Sequence, residues 1–493
     1  MKNIKLILTA FVFSMISFSC ETTYLDTAPT ASIDASAAYS TTKNAAAAIN
    51  GIYRSFVVRY LSSQGHSGHP AMMIILDHLG EDMVIGTTSA SWHVGETRWT
   101  AHRSDVNVLS QFPYEMYYRF IGNANIGIAN IDKSVGPQAD KNQLKGEALA
   151  LRAFSYYHLV QLYGKRYDAG AKPNAQLGVP LVLEPTTEAK PRATVEEVYT
   201  QIRKDLTDAI ALLTTARVNK SHINVNVAKG LMARVALTTQ NWADAAKFAS
   251  EARAGFNLMT EAQYQDGFQD ITNPEWMWGF DHLEDQTEYF GGYHSYISCN
   301  YNSTVIRTYP KAINSLLYNQ IPATDVRSKM WVKAPTTANS ITPPGGVRVP
   351  FLNQKFRLPG VPSTSAMGDV PYMRAGEMLL IEAEAKARLN DNAGAQAALF
   401  TLVKTRDAAA TQSTKTGTAL IDEILLNRRI ELWGEGFRFL DLKRLNAPLN
   451  RNGANHIASV VLLYDVAPGD VRWEFLIPRR EINANSQIVQ NPL

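Results

Sequence analysis

The chain has 493 residues, 45% of them hydrophobic and 19% charged, with a mean hydropathy of −0.17. That composition excludes a disordered chain and a multi-span membrane protein, and the length suffices to bury a large core. With 48 Lys and Arg against 45 Asp and Glu, the formal charge is +3; interspersed charges of so mild a balance give no electrostatic case for nucleic-acid binding.

Lys2 and Lys5 precede an apolar run from Ile7 to Phe18 that ends in Ser19 and Cys20. The run is an export signal, too short and wrongly flanked for a stable membrane span. A cysteine directly after a small residue resembles a bacterial lipobox, although Ser17 stands where leucine is commonest. Residues 1–19 are therefore expected to be removed and Cys20 acylated. Loss of the two signal lysines takes the charge from +3 to +1. Only Cys299 is then left as a thiol, so no internal disulfide can form and stability must come from packing.

Residues 20–36, with Pro29 and little periodicity, suit a tether that holds the body off a membrane. Asp77, His78, Glu81 and Asp82 offer hard oxygen donors, yet their spacing matches neither the zinc helix signature nor the calcium loop; a polar edge or ordinary loop is the expectation, and no metal site is assigned. Between Leu144 and Leu162, the residues Leu144, Ala148, Leu151, Leu159 and Leu162 share a helical face widened by Phe154 and Tyr157, so this helix should be buried on most sides. Helices are also expected from Val195 to Leu213, Val225 to Thr239 and Trp242 to Ala254. Thr239-Gln240-Asn241 joins the last two into a hairpin whose small Ala243, Ala246 and Ala249 permit close approach.

Residues 261–369 break the helical periodicity with Pro322, Pro343-Pro344-Gly345-Gly346, Pro350 and Pro359-Gly360, which marks an irregular insert with a few short strands. Trp276, Trp278 and Phe280 alternate as in a strand, and Trp473, Phe475 and Ile477 do the same near the end. A second helical block starts near Tyr372, continues through 393–407, and closes with a long helix from Ile421 to Leu445. Overall the expectation is one mainly α body over 37–493, with helices over 37–260 and 370–450.

Several stretches, in this order, resemble the SusD/RagB family of nutrient-binding outer-membrane lipoproteins. They are Tyr24-Leu25-Asp26 after Cys20; Glu147-Ala148-Leu149-Ala150-Leu151-Arg152-Ala153-Phe154; Gly178-Val179-Pro180-Leu181-Val182; Ala228-Lys229-Gly230-Leu231; Arg374-Ala375-Gly376-Glu377-Met378-Leu379; Asn427-Arg428-Arg429-Ile430-Glu431-Leu432; and Gln490-Asn491-Pro492. The resemblance implies a scaffold of tetratricopeptide-like hairpins and a ligand site built mostly from loops. It also implies a lipid-anchored, cell-surface-exposed, lid-like position over a SusC-type TonB-dependent porin of the outer membrane, to which the protein delivers a captured oligosaccharide, with no catalysis and no cofactor. Peptide or other oligomer cargo in the same role, and a helical scaffold that gates the transporter without binding, are the alternatives.

The charged run Arg428, Arg429, Glu431, Glu435, Arg438, Asp441, Lys443 and Arg444 could supply the carboxylate pair of a glycosidase, but its expected role is to tie the last helix to its neighbours by ion pairs. No phosphate loop or nucleophile elbow is present, and Cys299 should be inert. Flat indole and phenol faces stack on sugar C–H patches while polar neighbours bond the hydroxyls. Two aromatic loops could do this: 89–103, with Trp92, His93 and Trp99, and 281–301, with Tyr289, Tyr293 and Tyr296. These six residues are the candidate ligand contacts.

Overall fold

A computed structural model describes residues 35–286 and 290–493. Cys20, the signal and most of the tether lie outside the described residues.

The longer elements, in chain order, are α1 (Thr42–Ser55), α2 (Gly68–His78), β1 (Met83–Ile85), α3 (Val108–Asn130), α4 (Gln138–Tyr163), α5 (Val195–Leu212), α6 (Val225–Thr238), α7 (Trp242–Ala252), β2 (Trp276–Phe280), β3 (Lys311–Ile313), β4 (Trp331–Val332), β5 (Leu352–Asn353), β6 (Val370–Arg374), α8 (Ala375–Arg388), α9 (Asn392–Arg406), α10 (Gly417–Glu431) and α11 (Arg438–Leu445). The protein is mainly α, as expected.

Helix starts follow local chemistry. α5 opens on a capping box in which Thr194 Oγ1 accepts from the Glu197 amide at 3.2 Å and the Glu197 carboxylate accepts from the Thr194 amide at 2.7 Å. The hairpins α6–α7 and α8–α9 share one turn design. A residue in the left-handed region, Gln240 (φ 58°) or Asn390 (φ 64°), ends the first helix. The next residue, Asn241 or Asp391, donates its amide back to the first helix at 2.9 Å in both hairpins and caps the second helix with its side chain. The small face of α7 is Ala245, Ala249 and Ala252 rather than the expected Ala243, Ala246 and Ala249, since Ala243 is exposed and Ala246 half-buried; with Ala395 and Ala398 of α9 it lets the helices pack closely.

α4 is the spine. It is buried without a break from Gly146 to Tyr163 and packs between α3 and α5. Arg152 forks onto Asp205 of α5 at 2.7 and 2.8 Å, and Arg234 of α6 forks onto Glu377 of α8 at 2.7 Å. Such bidentate pairs fix the angle between neighbouring helices.

The insert supplies short strands. β1, β3, β5 and β4 form an antiparallel sheet in that order, with Val84 opposite Ala312 and Val332 opposite Leu352. β2 pairs antiparallel with β6, Trp276 opposite Arg374 and Phe280 opposite Val370. Every residue of β2 is buried, so the alternating aromatics pack inside on both faces.

Two expectations need correction. The final helix is not continuous from 421 to 445: α10 ends at Glu431 and α11 begins at Arg438. Gly434 and Gly436 both take φ 84°, and an added Cβ would lie 2.3 Å from the Phe356 ring and 2.6 Å from the Met73 backbone; close approach and a left-handed turn end the helix there. Trp473 to Ile477 is not a strand. It is buried throughout rather than alternately, and its amides reach helix and loop carbonyls, Phe475 to Leu162 at 2.9 Å and Leu476 to His102 at 3.0 Å.

The charged run does act structurally. Arg428 and Arg444 bracket Asp441 at 2.8 and 2.7 Å, Arg444 continues to Glu384, and Arg429 donates to Asp82. Asp77, His78, Glu81 and Asp82 are buried, not a polar edge. Glu81 and Asp82 accept from Arg438 and Arg429, and among the described residues no cluster is arranged to hold a metal ion.

Asp77 accepts from the Gly436 amide at 3.2 Å, and among the described residues no salt bridge reaches it. Burial pushes its carboxyl up to about 7, only partly opposed by backbone hydrogen bonds. A folded value above the unfolded one of about 3.9 means that stability is lost as pH rises between the two. Asp77→Asn is therefore expected to raise the melting temperature relative to the parent by an amount that grows from pH 4 to pH 7 and then levels off. A difference that does not change over that range in parallel melts would contradict this.

Candidate ligand-binding site

The two aromatic loops, about two hundred residues apart in sequence, meet around Gly65. The indole of Trp92, half-buried, and the hydroxyl of Tyr296 both cover that glycine: a Cβ there would touch Trp92 at 3.5 Å and Tyr296 Oη at 3.8 Å. The Trp92 and Tyr296 rings stand edge to face with centroids 5.5 Å apart, a favourable aromatic geometry.

Backbone shape sets this up. His93 takes φ 59° just before the short helix Val94–Thr97, which turns Trp92 outward and His93 inward. The His93 ring stacks on His78 at 5.0 Å and meets the Tyr296 ring at 5.1 Å. Tyr296 sits on the short helix Tyr293–Ile297, held down where Gly291 passes so near the 60s loop that a Cβ would lie 2.6 Å from the Gln64 carbonyl and 2.7 Å from Ser67 Oγ.

Beside the rings are buried polar atoms without a hydrogen-bond partner among the described residues: Tyr296 Oη, Ser67 Oγ, His66 Nδ1 and His93 Nε2; the other ring nitrogen of His93, Nδ1, faces the Glu96 carboxylate at 3.5 Å. Buried polar groups are normally paired, so this concentration beside an accessible indole is what a site awaiting hydroxyl groups would show. His66, stacked on Phe112 at 4.6 Å, is pushed down to about 4 by burial and is neutral at pH 7. Lys311 lies 5.7 Å from the Tyr296 ring centre, and burial lowers its ammonium to about 7.

The other candidates fall differently. Trp99 is in the core: its Nε1 donates to the Leu79 carbonyl at 2.8 Å and its ring meets Trp473 edge-on at 4.7 Å. Tyr293 is also core, its hydroxyl donating to the Gly434 carbonyl at 2.6 Å. Both were expected on an exposed loop; a polar tip satisfied by a backbone carbonyl is what lets each ring stay buried. Tyr289 lies outside the described residues. Gly65, His66 and Ser67, which sequence reasoning did not select, sit in the polar, glycine-containing run Ser62–Gly68, a loop signal overlooked because it carries no Trp or Tyr.

The carboxylates of the charged run nearest the insert are not free for acid–base work. Glu431 and Glu435 are enclosed by Arg374, Arg406 and Lys355. Cys299 is buried and its thiol is pushed up to about 12 by burial, which removes the nucleophilic thiolate.

The fold is a scaffold of helical hairpins that carries the loops where Trp92 and Tyr296 meet. The chain belongs to the SusD/RagB family: residues 25–237 match the family described as starch-binding, associating with the outer membrane, and residues 301–493 match the SusD family. SusD-like protein P2 of Formosa agariphila is 27% identical over 497 residues, covering 92% of each chain. A SusD-like carbohydrate binding protein from Bacteroides vulgatus is 26% identical, with a TM-score of 0.77 over 91% of this chain and 98% of that one. A laminarin-binding SusD-like protein is 20% identical, with a TM-score of 0.71 over 92% and 100% of the two chains. Family members are typically outer-membrane lipoproteins with a glycan-binding role tied to TonB-dependent transport, and this chain is not an enzyme.

Proposed function

We propose that this protein captures an oligosaccharide at the cell surface and passes it to a SusC-type porin, with Trp92 as the stacking platform and Tyr296, His93, His66 and Ser67 as hydroxyl partners. The observation that carries the reading is the half-buried Trp92 indole standing beside unpartnered polar atoms where the two aromatic loops meet. A few stacked rings and polar contacts give modest affinity, which suits a protein that must release its cargo. Cys20 carries the lipid, 20–36 is the tether, and 37–493 is one ligand-holding body.

The test is affinity electrophoresis of the mature chain against gels containing laminarin, starch, xylan or pectin; laminarin is included because a structural relative binds it. Retardation by one glycan class supports the reading, and migration unchanged in every gel contradicts it. The anchor is tested separately. Cys20→Ala is expected to leave the outer-membrane fraction and become soluble, because an acyl chain supplies roughly 0.8 kcal/mol per buried CH₂; retention in the membrane would contradict lipidation at this residue.

A further inference from the structure

A cavity of about 360 Å³ opens between the loop after α4, the end of α11 and the 468–474 loop, and shares no residue with the Trp92 cluster. Its wall carries three cationic side chains, Lys165, Arg166 and Lys443, against three carboxylates, Asp168, Asp470 and Glu474. Most of these are engaged. Arg166 donates to Asp168 at 2.7 Å and Arg472 to Asp470 at 2.7 Å. The Lys443 ammonium spends its three donors on the carbonyls of Gln161, Gly164 and Trp473 at 2.6, 2.8 and 2.7 Å, so it cannot turn to Glu474.

Glu474 is different. It is 5% exposed, and among the described residues no hydrogen bond or ion pair reaches its carboxylate. Lys443, Arg103 and Arg192 act on it only through space, so its oxygens are left to accept from what enters the cavity that it lines. A cationic ligand would meet Lys165, Arg166 and Lys443, whereas the balanced wall suits a neutral one. Leu442, Ala447 and Pro468 add an apolar patch to the same wall.

We propose that this cavity is a second binding site, for a single neutral sugar unit whose hydroxyls donate to Glu474 while a C–H face lies on the apolar wall. The volume is at the small end of ligand pockets, which run from about 300 to 1,000 Å³. The site stands on its own residues and does not depend on the Trp92 reading.

The experiment is saturation-transfer NMR titration of the mature chain with D-glucose, D-galactose, D-xylose and D-glucosamine, one at a time. At least one neutral sugar should bind saturably, and Glu474→Gln should weaken it about tenfold, as loss of a charged hydrogen-bond acceptor implies. In a Trp92→Ala background, where the aromatic loops cannot contribute, this binding should persist, and adding Ala447→Trp, which fills the cavity, should abolish it. If Glu474→Gln does not fold, Ala447→Trp decides alone. The proposal is overturned if no neutral sugar binds, if adding Ala447→Trp to Trp92→Ala leaves binding unchanged, if Trp92→Ala removes the signal, or if glucosamine binds more tightly than every neutral sugar.

Discussion

An Arg374→Met chain should lose about 3–5 kcal/mol of stability, the cost of leaving buried charges without their partner. Arg374 is fully buried at the end of β6. It donates to Glu275 at 2.6 Å, to Glu431 at 3.0 Å, and to Glu435 at 2.7 and 2.8 Å. Around it Arg406 reaches Glu275 and Glu431, Arg327 reaches Asp325 and Glu431, and Lys355 reaches Glu435. The cluster balances four cations against four carboxylates. Methionine fills much of the volume but leaves one net negative charge in the core.

The network also has a pH signature. Burial works to raise Glu431 and Glu435, but the surrounding Arg and Lys charges outweigh it and hold both carboxyls below the ordinary range. A depressed folded value gives stability that is fully present above the unfolded pKa of about 4.3 and lost as pH falls through the folded one. In Arg374→Met that advantage shrinks, so the deficit against the parent should be largest near neutral pH and narrow in acid. Denaturant unfolding at pH 7 and pH 4 checks both parts. A loss below about 1 kcal/mol at pH 7 would mean that the cluster contributes little, as exposed ion pairs do.

What the sequence made legible follows from which signals are local. The α6–α7 hairpin was readable because Asn241 caps its second helix and the alanine spacing is periodic, both properties of neighbouring residues. The break between α10 and α11 was not. Gly434 and Gly436 sit in a run that keeps helical spacing, and what forces the turn is Phe356 and Met73, far away in sequence. Likewise Trp473 to Ile477 alternates as a strand would, but helix and loop carbonyls, not a partner strand, take its amides.

The candidate site was half legible for a similar reason. Aromatic loops could be recognised, and Trp92 and Tyr296 do come together. Exposure of a single ring depends on long-range packing: Trp99 finds Leu79 and Trp473, and Tyr293 finds Gly434, which spacing cannot reveal. The loop around Gly65 was missed because it carries no Trp or Tyr and its place beneath two rings is set by packing across the fold.

The measurement that bears most directly on the proposed role is calorimetric titration of the mature chain and of Trp92→Ala with oligosaccharides of whichever glycan retards it. Trp92 is half-buried, covers Gly65 and Tyr296 and packs on the edge of the core. Its removal should lower the melting temperature by only a few degrees and leave the chain folded, while costing on the order of 2 kcal/mol of binding, about a 30-fold weaker Kd, as for a central aromatic anchor. Unchanged affinity in a folded Trp92→Ala protein would contradict the account and move the site away from the meeting of the two loops.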